Sequence, residues 1–137
     1  MEHHLTTYIT HDTLISALGF GTQENLEAIR SYHSGITLQT DKRIADTPLL
    51  AATLSQERLQ QQAEAIGVSG YPRMEQLFIL TINELIRQSE QTLEDKTCGL
   101  ILSTTKGNID LLARHTEHPD EAVFLWKMAE NIAGYFH

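Results

Sequence analysis

The stretch Cys98-Gly99-Leu100-Ile101-Leu102-Ser103-Thr104-Thr105-Lys106-Gly107-Asn108 constrains this chain most. A short apolar run, 100–102, breaks abruptly into small hydroxyl residues, one lysine and a glycine. The run is far too short to span a membrane and has glycines on both sides, so it reads as a buried strand. Asn108-Ile109-Asp110-Leu111-Leu112 then reads as the start of a helix or a tight turn into one. Strand, polar loop, helix is the layout in which α/β proteins place their sites, beyond the carboxyl end of a strand. The rest of the chain reads as packing around that strand. Spacing alone names no reaction.

The segments before it fit this plan. Residues 5–10, with Tyr8 and Ile9 at the centre, are rich in β-formers and read as a first strand. Apolar character resumes at Leu14-Ile15-Ser16-Ala17-Leu18 and stops at Gly19-Phe20-Gly21. Thr22 reads as an N-cap, Glu24 lies in the first turn where the helix dipole favours an anion, and His33-Ser34-Gly35 ends the helix. Residues 36–40 alternate apolar and polar, which predicts a short edge strand. Pro48 is placed to open a short helix through Leu49-Leu50-Ala51-Ala52. Ser55 predicts a cap for a helix over 56–66 closing at Gly67, and Ser69-Gly70-Tyr71-Pro72 is a turn.

The strongest helical signal covers 73–93. Leu77, Phe78, Thr81, Ile82, Leu85 and Ile86 share one face, and Glu75, Glu84, Arg87, Gln88 and Glu90 fall mostly on the other. Glu94-Asp95-Lys96 is a solvated turn. Pro119 and Asp120 begin a last helix with a stripe of Ala122, Leu125, Trp126, Ala129, Ile132, Ala133 and Phe136. No repeat, low-complexity tract or linker interrupts the 137 residues, which fit a single domain or a piece of one.

Charge excludes some functions. Eighteen acids against ten bases give a formal charge of −8, the wrong sign for a nucleic-acid surface. Lys42-Arg43 is the only adjacent pair of bases. One cysteine rules out an intrachain disulfide and fits a reducing compartment. No apolar run reaches transmembrane length, and Met1-Glu2-His3-His4 lacks the basic head of a signal peptide. The expected location is the cytoplasm, with no membrane partner.

Candidate chemistry is thin. Gly19-Phe20-Gly21 invites a dinucleotide reading, but the third glycine is replaced by Glu24, whose carboxylate would repel a pyrophosphate. A plain turn is the better reading. Ser103, Thr104, Thr105, Lys106, Gly107 and Asn108 offer hydroxyls, an amine and flexible amides, a workable anion nest. They do not spell a Walker loop, and a strand end packed closely against another segment is favoured. His115, Glu117, His118 and Asp120 gather around Pro119 without a distant partner set, which reads as an exposed loop rather than a metal site. His3 and His4 read as terminal residues. Cys98 lacks the setting of a nucleophile and reads as a small buried hydrophobe.

The order of these motifs resembles one family. Tyr8-Ile9-Thr10, Leu14-Ile15-Ser16-Ala17-Leu18-Gly19, Glu24-Asn25-Leu26 and Ser34-Gly35-Ile36 look like the opening of a β-ketoacyl synthase: a strand, a small-residue loop, a helix and a "G-x-S-G-I" turn. Residues 100–108 are similar to the family's second long strand and its glycine-bearing loop. Phe124 and Asn131-Ile132-Ala133-Gly134 resemble the helix that leads toward its nucleophile. The resemblance implies an α/β fold, the N-terminal portion of a thiolase-like half spanning 1–137, with few central strands packed by amphipathic helices.

It also implies a part of a 3-oxoacyl-(acyl carrier protein) synthase, which condenses acyl and malonyl thioesters with loss of carbon dioxide in fatty acid or polyketide synthesis. One departure is His11, where the family usually has glycine. The family's nucleophilic cysteine and two histidines fall later than His137, so no catalytic residue carries over, and Cys98 does not match the nucleophile. The 103–108 residues would line the acyl channel or an interface. No cofactor is expected on this chain, since the substrates ride on the phosphopantetheine of acyl carrier protein. The implied partners are that carrier and a second synthase-like subunit, in a homodimer or heterodimer. A chain-length-factor-like, non-catalytic subunit is the alternative, and a free-standing small-ligand binder using the 103–108 loop is a third reading. A piece of this kind is expected to leave a strand edge and a helix face uncovered until further segments complete it.

Overall fold

Glycines and one glutamate shape the N-terminal region. The computed structural model describes residues 6–89, 98–114 and 121–137. Strand β1 (Ile15–Ser16) turns back onto β2 (Gly19–Phe20), antiparallel, with Ile15 opposite Phe20 and Ser16 opposite Gly19. Gly19-Phe20-Gly21 is thus half of a hairpin and the lead into α1 (Thr22–Arg30). A Cβ at Gly19 would stand 2.5 Å from that of Glu24, and Gly21 has φ of 104°, where side chains are strained. Gly21, not Thr22, is the N-cap. The Thr22 hydroxyl donates to Asp12 Oδ2 instead, at 2.8 Å, while Glu24 accepts the Phe20 amide at 2.9 Å.

Strand β3 (Ile36–Gln39) forms where alternation predicts it. The helix expected after Pro48 does not. Leu49–Ala52 is strand β4, antiparallel to β3, with Leu38 opposite Leu50 and Ile36 opposite Ala52. Four residues cannot sustain a helix by themselves, whereas β3 offers a ladder of backbone partners. Proline is as acceptable just before a strand as in a helical first turn. One face of this ribbon presents Ile36, Leu38 and Leu50 to solvent.

Helix α2 (Gln56–Ala65) is capped as its sequence predicts: the Ser55 hydroxyl accepts from the Arg58 amide at 3.2 Å. It closes in a Schellman turn, with Gly67 at φ 75° and Val68 N–H donating to Ala63 O at 2.8 Å. Ala63 and Val68 then enter the core together. Helix α3 (Arg73–Ser89) follows the turn at Pro72, whose carbonyl accepts the first helical bond from Gln76.

Which side of α3 faces inward departs from expectation. Ile79 is fully buried, with Met74, Phe78 and Ile82 beside it, and so is Glu75, one helical turn before Ile79. The predicted stripe through Leu77, Thr81 and Leu85 is rotated away from the true centre. Residues 75, 79 and 82 are spaced i, i+4, i+7 and necessarily share a face.

The strand expected at 100–102 does not form. Residues 98–104 have no regular structure, Ile101 is 95% exposed, and only Leu102 reaches the core. Cys98 is exposed, not a buried hydrophobe. Residues 6–10, also expected as a strand, are irregular, with Ile9 92% exposed. An apolar run becomes a strand only beside another strand, and among the described residues none lies alongside either segment.

Two short 3-10 turns follow, Ile109–Arg114 and Glu121–Val123, then helix α4 (Leu125–Tyr135). Helix α4 therefore begins later than Pro119 and Asp120 predict. It buries Met128 and Ile132, while Leu125 and Trp126, expected in its stripe, are more than half exposed. Packing against α3 selects the line through 128, 132 and 135 instead. The core is Ala63, Val68, Ile79, Met128 and Ile132, drawn from α2, the turn that closes it, α3 and α4. The described residues thus form a mixed structure of four α-helices and two separate two-stranded antiparallel sheets. Among the described residues no helix is long and apolar enough to cross a membrane. His3, His4, the 94–96 turn and the cluster of His115, Glu117, His118 and Asp120 lie outside the described residues.

Candidate functional site

The 103–108 loop is built from its own residues first. The Thr104 hydroxyl accepts the amides of Lys106 at 3.3 Å and Gly107 at 3.0 Å. Such a side-chain turn occupies backbone donors that an anion nest would need free. Gly107 has φ of 56° and presses on α4, where an added Cβ would meet Leu125 Cδ2 at 2.8 Å. The loop consequently divides. Ser103, Thr105 and Lys106 are exposed, Thr104 is half-buried, and Gly107 and Asn108 are buried.

Beneath the loop lies a polar cluster that the sequence pattern hides. Asn108 Nδ2 donates to Glu75 Oε1 at 2.8 Å and to the Ala122 carbonyl at 2.9 Å. Asn131, on α4, donates to both Glu75 oxygens at 3.4 and 3.3 Å. Glu75 has no solvent exposure. Burial pushes its carboxyl above the ordinary value, opposed by the amides of Asn108 and Asn131 and by the positive charge of Lys127. Asn108 Oδ1 is buried with no hydrogen-bond partner among the described residues. Three sequence-distant elements, α3, the loop and α4, meet at this one carboxyl.

Sequence reasoning named Asn108 and missed both Glu75 as its partner and Asn131 as the second amide on that carboxyl. The available signal was the i, i+4, i+7 line of Glu75, Ile79 and Ile82, which places a glutamate on an apolar face. Among the described residues no group of three or more His, Cys, Asp and Glu is disposed to hold a metal ion.

A second polar centre holds the hairpin to α1. Asn25 Nδ2 lies 2.7 Å from Gly21 O, 3.0 Å from Gly19 O and 3.4 Å from Leu14 O, and its Oδ1 accepts the Ser16 hydroxyl. Arg58 of α2 grips Glu24 through two bonds of 2.8 and 2.7 Å and lies 4.8 Å above the Phe20 ring. That guanidinium, then the Phe20 amide, hold the Glu24 carboxyl below its usual range. Glu24 is therefore a structural anchor that joins the Gly19-Phe20-Gly21 turn to α2. A cleft of about 80 Å³ between hairpin, α2 and α3, lined by residues including Phe20, Gln62 and Glu84, has room for a few waters only.

Comparison with protein-family models, curated proteins and solved structures finds no match to this chain.

Proposed function

We propose that this chain is part of a condensing enzyme of the β-ketoacyl synthase kind, supplying scaffold and a wall of the site rather than the reacting groups. The observation that carries this reading is the exposure of two strand-forming segments. Ile9 and Ile101 stand in solvent at 92% and 95%, in segments whose composition favours a sheet. Segments of that kind are what a larger sheet would absorb once neighbouring strands are present. The motif order, from Tyr8-Ile9-Thr10 through Leu100 to Asn108 and on to Asn131-Ile132-Ala133-Gly134, supports the same reading.

The reaction would run on a cysteine outside this chain. An acyl group held there as a thioester is attacked by the carbanion left when a malonyl thioester loses carbon dioxide. The new carbon–carbon bond forms as the cysteine thiolate leaves. Here the exposed face of the loop, Ser103, Thr105 and Lys106, would border the acyl channel or a subunit interface. Acyl carrier protein and a second synthase-like subunit are the corresponding partners.

The test expresses the complete reading frame and supplies an acyl thioester and malonyl-acyl carrier protein. Mass-spectrometric detection of the 3-oxoacyl product supports the proposal. Carrier binding without product points to the non-catalytic partner subunit. Neither binding nor product overturns it.

A further inference from the structure

Glu75 is a carboxyl without solvent, and among the described residues none of the ion pairs includes it. Its contacts come instead from the side-chain amides of Asn108 and Asn131. We infer that Glu75 is a proton-operated latch that fixes the 103–108 loop onto α3 and onto the residues preceding α4. The latch does not depend on the condensing-enzyme reading.

The two protonation states make different demands on Asn108. An ionised carboxyl only accepts, so Asn108 Nδ2 can give one hydrogen to Glu75 and the other to Ala122 O, as observed. A protonated carboxyl brings a donor that needs an acceptor. Asn108 Oδ1 is buried and lacks a partner among the described residues. Turning the amide over delivers Oδ1 to the Glu75 hydroxyl and withdraws Nδ2 from Ala122 O. The loop then keeps its hold on α3 and loses its tie to the 121–123 turn. Proton binding thus reverses the Glu75–Asn108 hydrogen bond and breaks the one from Asn108 to Ala122 O at the loop's base.

The surrounding charges set where this happens. Lys127 on α4 favours the ionised form, and it is itself paired with Glu130 at 2.6 Å and influenced by Glu121 of the preceding turn. The loop contributes Lys106, which is exposed, and α2 packs against this core through uncharged Ala63. Burial outweighs the favourable groups, so the exchange falls above the 4.5 of a free glutamate.

Nuclear magnetic resonance on the isotopically labelled chain tests it, following the Asn108 side-chain amide and the Gly107 backbone amide from about pH 4 to 8. Both signals should shift together in one titration with a midpoint above 4.5. In Glu75→Gln that titration should vanish. Lys127→Met keeps the latch and removes the favourable charge, so its midpoint should rise, which decides the matter if Glu75→Gln fails to fold. Signals that do not titrate, that titrate unchanged in Glu75→Gln, or that ignore Lys127→Met overturn the latch.

Discussion

Asn25, in the hairpin–α1 region, and Asn108, between α3 and α4, are both almost wholly buried, yet their amides are used differently. Asn25 is saturated: its nitrogen faces three carbonyls and its oxygen accepts the Ser16 hydroxyl. Every partner is fixed by the backbone of one hairpin, and none of them titrates. Asn108 divides its nitrogen between a backbone carbonyl and a carboxyl, and its oxygen has no partner among the described residues. A saturated buried amide has a single low-energy arrangement. One with an idle acceptor beside a titratable group has two.

The largest effect should come from the saturated site. Asn25→Ala takes a side-chain donor from Gly19 O, a second donor from Leu14 O and Gly21 O, which keep the backbone amides of Gly21 and residue 25, and the acceptor of the Ser16 hydroxyl. Each buried group left unsatisfied costs about 1–3 kcal/mol, partly relieved by water near the edge. A net loss of about 3 kcal/mol is expected in urea denaturation. A loss below about 1 kcal/mol would mean the hairpin is held by something other than this amide.

Asn108→Ala removes two hydrogen bonds but also removes an oxygen that has no partner among the described residues. The expected loss is about 1.5 kcal/mol, roughly half that of Asn25→Ala. It should carry a second signature. With one amide fewer to favour its ionised form, Glu75 should bind its proton at higher pH. Equal losses from the two variants, or an unmoved Glu75 titration, would erase the distinction between saturated and idle amides.

How far these sites were legible depends on the range of the interaction that makes them. Ser55, Gly67 and Pro72 mark their helix ends because a cap or a Schellman turn is settled within a few residues. Pro48 misleads because the same local signal suits a strand, and the choice lies with β3, ten residues upstream. The run at 100–102 has strand-forming composition without a described partner to pair with. Glu75 was hidden for another reason. A tally of apolar faces assigns every glutamate to solvent, and only the meeting of α3 with Asn108 and Asn131, 33 and 56 residues away in sequence, makes its burial tolerable.

Removing the charge at Glu75 should sharpen the contrast further. Its proton affinity is raised in the folded state, so between 4.5 and that raised value the folded chain holds more protons than the unfolded one. Stability from this group is then full below 4.5 and is lost as pH rises through the folded value. Glu75→Gln should lie above the parent in melting temperature at neutral pH and show a flatter pH dependence. Asn25 variants should leave the pH profile parallel to the parent's. A Glu75→Gln chain that melts lower at neutral pH would show that the carboxylate's bonds outweigh its burial.

The smallest effect concerns what joins the two regions. Arg58 reaches from α2 to Glu24 with two parallel bonds, 2.8 and 2.7 Å, and covers Phe20. Both side chains are about four-tenths exposed, so water and salt screen the pair, and its removal should cost about 0.5–1 kcal/mol. Arg58→Lys should recover little of it, because an ammonium cannot make the fork or lie flat on the ring. About 1 M salt should shrink the difference between parent and Arg58→Ala. The informative readout is where the loss appears. If the regions unfold together, amide exchange in the hairpin and in α3 should quicken equally. If they open separately, only residues near Ser16 and Asn25 should respond, leaving Glu75, Asn108 and Asn131 to hold the other region by themselves.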